Sequence, residues 1–144
     1  MNCGICASYL AMKNYLKKKG VRKKYCLGCL PGGMNCHYKR QCDRLGKGIV
    51  QFCYECVDFP CRLLKTLDKR YRTLYHMSMV ENLQYIKEHG LEQFLIREQE
   101  KWRCPHCGET ICCHNGICFN CGLELLRNKK RRYRWEDDQP ARQA

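Results

Sequence analysis

The chain has 144 residues, 15 of them cysteine, and a formal net charge of +13 from 27 Lys+Arg against 14 Asp+Glu. That length holds one ordinary domain or two very small ones. With cysteine set aside the chain is poor in core formers, which excludes a fold built on a large apolar interior and points to one cross-linked by metal or disulfide.

The opening Met1-Asn2-Cys3-Gly4-Ile5-Cys6 has cysteines where a secretory leader would carry its apolar run. No apolar run approaches the ~20 residues needed to span a bilayer. Both points predict a cytoplasmic protein with no membrane association, where thiols stay reduced and Cys-x-x-Cys pairs read as metal ligands. A helix is expected from about Ala7 to Lys19, with Leu10, Tyr15 and Leu16 on its apolar side and Gly20 at its end. Residues 30 to 48 read as loop. A second helix is expected from near Asp58 and Pro60 to about Arg72, carrying Leu63, Leu64, Leu67 and Tyr71 at helical spacing.

Ser78-Met79-Val80-Glu81 matches the S-x-x-E capping box and predicts a third helix, ending at His89-Gly90, with a further helical stretch from Leu91 to about Lys101. Beyond Cys121, residues 127 to 135 are basic with two aromatics, and Glu136-Asp137-Asp138 is acidic. The expected partition is a cysteine-rich module at 1–64, a helical linker at 65–101, a zinc ribbon at 102–124 and a disordered tail at 125–144. The fold class is small, metal-stabilised and mainly α, with short β-hairpins. The two cysteine modules share no proposed ligand and are expected to fold independently.

The ribbon carries the strongest motif. Cys104-Pro105-His106-Cys107 and Cys118-Phe119-Asn120-Cys121 are two knuckles ten residues apart. Together they supply a closed tetrahedral shell of four sulfurs. Cys112, Cys113 and His114 lie between them and are not needed to complete it. In the first module Cys3/Cys6, Cys26/Cys29 and Cys53/Cys56 are paired, and Cys36, Cys42 and Cys61 are added singly. Loop closure is least costly for near neighbours, which groups Cys26 and Cys29 with Cys36 and Cys42. Cys3 and Cys6 then meet Cys53 and Cys56, or Cys61. Zinc, about three ions per chain, fits this donor set, and an iron–sulfur cluster is the competing centre in the first module. Three four-cysteine zinc sites, each about −2, would lower the net charge to roughly +7.

Cys-Gly-x-Cys-x-x-Tyr at residues 3 to 9, Cys26-Leu27-Gly28-Cys29, and Cys36…Cys42 followed by Phe52-Cys53-Tyr54-Glu55-Cys56-x-x-Phe59-Pro60-Cys61 come in an order that resembles the cysteine-rich domain-of-unknown-function family 3795. The resemblance covers roughly residues 3 to 64, and residues 69 to 122 look like an extension found in some members. It implies a metal-binding protein and brings no activity with it.

Three functions compete. A non-catalytic adapter for nucleic acid or a ribonucleoprotein is suggested by net basicity and by Lys129, Lys130, Arg131, Arg132, Tyr133, Arg134 and Trp135, where cations track phosphates and rings stack on bases. A protein–protein adapter would use the ribbon and linker as a docking face. A thiol redox or metal-transfer protein would use the surplus cysteines. No His-Glu-x-x-His, phosphate loop or Ser/His/Asp set stands out, so an enzyme is the least expected of the classes.

Overall fold

Helix α1, Ala7–Lys13, turns Ala7, Leu10 and Ala11 inward. A computed structural model describes residues 2–28 and 40–136. The expected helix to Lys19 is shorter than predicted, because Tyr15 adopts φ 53, a left-handed conformation that ends the α-helical ladder. The chain then turns, and Leu16 and Val21 return to the same apolar face.

That face is closed by residues more than a hundred positions away. Cys112, Ile117, Phe119 and Leu126 pack with Ala7, Leu10, Ala11, Leu16 and Val21 in one buried cluster, with Tyr25, Leu123 and Tyr133 at its edge. The described residues accordingly divide into two units, 2–28 with 99–136, and 40–98. The N-terminal helix thus packs with the segment after Gln99. Residues 7–21 and 112–126 thereby share one core.

In the first unit the segment after Trp102 forms no strand. Two isolated antiparallel bridges, Arg103 with Thr110 and Ile111 with Cys118, stand where hairpins were expected. Among the described residues the protein is mainly helical and without strands. A short helix, Leu123–Asn128 (α5), buries Leu126. In the described part of the tail Trp135 is buried. The Trp135 ring lies over Gly116, whose φ is 71, and a Cβ there would sit 2.9 Å from the ring. Only glycine satisfies both demands.

The second unit is helical. A four-residue turn, Asp43–Gly46 (α2), precedes α3, Arg62–Tyr75. Next comes α4, Met79–Lys101, in which Gly90 (φ 85, ψ 162) separates two helical segments, where the sequence ends one helix and begins another. The predicted cap is present: the Glu81 amide donates to Ser78 Oγ at 3.1 Å. Ser78 in turn donates to the buried Asp68 carboxylate at 2.7 Å, which also accepts from the Val80 amide at 3.0 Å. A carboxylate on α3 thereby fixes the start of α4. Leu64, Tyr71 and Tyr75 form the buried stripe of α3, with Leu63 and Leu67 half-buried beside it. Among the described residues no helix is long and apolar enough to cross a membrane.

Candidate metal centre

The first knuckle is built by backbone hydrogen bonds. The Gly108 amide donates to the Cys104 carbonyl at 2.9 Å, and the Cys104 amide to the Glu109 carbonyl at 2.7 Å. The second repeats the turn, with the Gly122 amide on the Cys118 carbonyl at 2.8 Å. A Cβ at Gly122 would approach that carbonyl to 2.7 Å and Ile117 to 2.9 Å, so the knuckle closes only with glycine there.

The turns bring four sulfurs together. Cys104 Sγ lies 3.6 Å from Cys121 Sγ, and Cys107 Sγ 3.5 Å from Cys118 Sγ. All four lie within 4.8 Å of one another. Four thiolates around an ion at the zinc–sulfur distance of ~2.3 Å stand about 3.8 Å apart, so the set fits a tetrahedral metal. Cys104 and Cys118 are buried, and Cys107 and Cys121 are exposed.

The thiols are electrostatically unequal. Hydrogen bonds from the Glu109 amide and the Asn120 side chain lower Cys107 to about 6. Contacts with Cys107 and then Cys104 raise Cys121 to about 12. Burial, first of all, raises Cys118. Four adjacent sulfurs cannot all carry charge without a cation among them, and a dication removes that conflict.

The residues between the knuckles are structural. Cys112 is fully buried, and burial pushes its thiol up to about 12. The Cys113 amide donates to the Ile5 carbonyl at 2.9 Å. The Ala7 amide donates to His114 Nδ1 at 3.2 Å, so His114 caps the start of α1, where Cys6 offers no side-chain cap. Sequence reasoning missed this role. No local signal links positions 107 residues apart.

The remaining cysteines fall in two places. Cys3, Cys6 and Cys26 belong to the first unit. The Cys26 amide donates to the Ser8 carbonyl at 3.2 Å, and the Cys6 amide to the Cys3 carbonyl at 3.0 Å. Burial raises the Cys6 thiol, and the charges of Cys3 and Cys26 act in the same direction. Cys42, Cys53, Cys56 and Cys61 line one recess in the second unit. Cys29 and Cys36 lie outside the described residues.

The basic run is only partly available to a polyanion. Trp135 is buried and its Nε1 donates to the Cys113 carbonyl at 2.7 Å. Tyr133 packs edge-on to Phe119 with centroids 6.4 Å apart, and Lys23 Nζ sits 3.9 Å from its ring centre. Lys129 pairs with Glu136 at 2.5 Å and holds that carboxyl below its usual range. The Arg132 carbonyl accepts from Asn115 Nδ2 at 2.6 Å. Lys130, Arg131 and Arg134 are exposed. The two rings expected to stack on bases are thus occupied by the protein's own interior.

No family model, curated protein or solved structure matches this chain.

Proposed function

We propose that this protein is a zinc-stabilised, non-catalytic adapter whose Cys104, Cys107, Cys118 and Cys121 thiolates hold one zinc ion. The observation that carries the reading is the approach of these four sulfurs to within 4.8 Å. A soft donor set of four cysteines selects a thiophilic metal. With all four tetrahedral positions taken by protein, no place is left for a reacting water, so the ion serves the fold. With the other cysteine sets filled, the total is about three centres per chain. The motif order shared with the cysteine-rich family 3795 agrees with metal binding.

The partner we favour is a polyanion, RNA or a ribonucleoprotein, held by Lys130, Arg131 and Arg134 through phosphate contacts. Net basicity supports this reading. Burial of Trp135 and half-burial of Tyr133 reshape it: binding is electrostatic and tolerant of sequence, without stacking by those rings.

The test is metal analysis of the full chain, followed by titration with single-stranded RNA over a range of salt. Lys130→Gln/Arg131→Gln/Arg134→Gln should keep its zinc and flatten the slope of log affinity against log salt by about 2, at ~0.7 per phosphate contact. Zinc absent from the Cys104 set would sink the metal reading. Failure of the unaltered chain to bind RNA at low salt would sink the polyanion reading and leave a protein partner in its place.

A further inference from the structure

Among the described residues the second unit holds four more thiols, Cys42, Cys53, Cys56 and Cys61. Cys42, Cys53, Cys56 and Cys61 are all unbridged and half-buried. They line a single recess whose walls are completed by Leu45, Val50, Phe59 and Leu64.

Local structure aims them inward. The turn Cys53–Glu55 returns the Cys56 amide to the Cys53 carbonyl at 3.1 Å. Glu55 pins that turn, its carboxylate accepting from the Gln51 amide at 2.8 Å. Cys61 stands at the N-cap of the 14-residue helix α3, and its Sγ accepts from the Leu64 amide at 3.5 Å. Arg44 Nη1 donates to Cys56 Sγ at 2.8 Å, while its Nη2 is held by Asp58 at 3.3 Å. A guanidinium directed at a sulfur in an apolar recess is the arrangement that steadies a ligating thiolate and tunes what it holds.

We infer that Cys42, Cys53, Cys56 and Cys61 form a second tetrathiolate site, made entirely within the 40–98 unit, for a dicationic thiophilic centre, either a zinc ion or an iron–sulfur cluster. The ligand chemistry is the same for both: four thiolates around such a centre leave about two unbalanced negative charges, and Arg44 offsets part of them. Among the described residues, the Cys104 set is the one whose ligand atoms all lie within 4.8 Å. The second set is wider. A zinc ion would draw its sulfurs in, whereas a cluster, with irons standing between the sulfurs, takes them further apart.

The full-length chain, prepared without oxygen, is analysed for zinc, iron and acid-labile sulfide beside Cys53→Ser/Cys56→Ser and Cys104→Ser/Cys121→Ser. The expected result is that Cys53→Ser/Cys56→Ser lacks one metal centre that Cys104→Ser/Cys121→Ser retains. Iron with matching sulfide and visible absorption identifies the lost centre as a cluster; colourless zinc identifies it as a single ion. Thiol footprinting of the unaltered chain covers the case in which a variant fails to fold. Cys42, Cys53, Cys56 and Cys61 should resist alkylation together and become roughly tenfold or more reactive together once a chelator is added. Equal metal content in the unaltered chain and the Cys53→Ser/Cys56→Ser protein overturns the site, as does alkylation of the four at unrelated rates that ignore the chelator. A fault in the Cys104 reading would appear separately, as a Cys104→Ser/Cys121→Ser protein with undiminished metal.

Discussion

Trp135 donates its indole N–H to the carbonyl of Cys113 across 22 residues, at 2.7 Å and out of contact with water. The bond ties the end of the basic run to the segment between the two knuckles. It turns what reads as a solvated tail into part of the interior.

Trp135→Phe should keep much of the ring contact and leave the Cys113 carbonyl buried without its donor. A stranded buried acceptor costs about 1–3 kcal/mol. Chemical denaturation followed by near-ultraviolet circular dichroism should register a loss of that size. No loss would show that water reaches the carbonyl.

Cys104→Ser/Cys121→Ser should release the metal and unfold α1 as well. Structural zinc contributes roughly 10–16 kcal/mol in small modules, comparable with the ~5–15 kcal/mol that holds a whole domain together. Leu10 and Ala11 share their buried cluster with Phe119 and Leu126, so the helix has no core of its own to fall back on. Hydrogen exchange at the amides of Leu10 and Asn14 should accelerate along with that at Gly122. Protected α1 amides in a metal-free variant would refute the shared core.

Metal uptake should release protons and strengthen as pH rises. Without metal, Cys121 lies at about 12 and Cys118 above its ordinary value, so both are thiols at neutral pH and must lose protons to ligate. Cys107, at about 6, is already largely ionised there and binds a proton only in mild acid. The sign is therefore the same for every ligand: acid favours release, and base favours retention. Competition with a chromogenic chelator between pH 6 and 8 should show affinity climbing with pH. Calorimetry in two buffers of different protonation enthalpy should show protons leaving at pH 7. Affinity independent of pH across that range would argue against thiolate ligation.

Asp68→Ala acts in the other unit. It removes the acceptor of Ser78 Oγ and of the Val80 amide, and with it an ion pair to Arg72 at 3.8 Å. The stranded donors should cost about 1–3 kcal/mol at the start of α4. The exposed Arg72 pair adds little. Metal content at the Cys104 set should be unchanged. A variant that loses that metal would contradict the division into two units.

What the sequence made legible was local. The knuckles at Cys104/Cys107 and Cys118/Cys121 and the cap at Ser78 depend on residues within a few positions of one another, and spacing alone carries them. The ends of α3 came close for the same reason. What escaped depends on contacts between distant positions. Nothing near Ala7 announces that His114 will cap it. Nothing in the charge-dense stretch around Arg132 shows that Trp135 will be buried, because neighbouring charges dominate a local reading. The grouping of the cysteines rested on loop closure alone. Loop-closure cost varies slowly with length, and a shared apolar core easily outweighs it.

The 107 positions that separate Ala7 from its cap on His114 also set an order of events during synthesis. Chains emerge at ~5–20 residues per second, so α1 leaves the ribosome on the order of 5–20 s before His114 does. Seven residues are too few to hold a helix alone in water. Throughout that interval Leu10, Leu16 and Val21 have none of their late partners, and the thiols of Cys3 and Cys6 are open to whatever the cell offers. The newborn chain therefore passes through a window of exposure that the finished fold closes, and that window is where a chaperone, a metal donor or an oxidant would have its access.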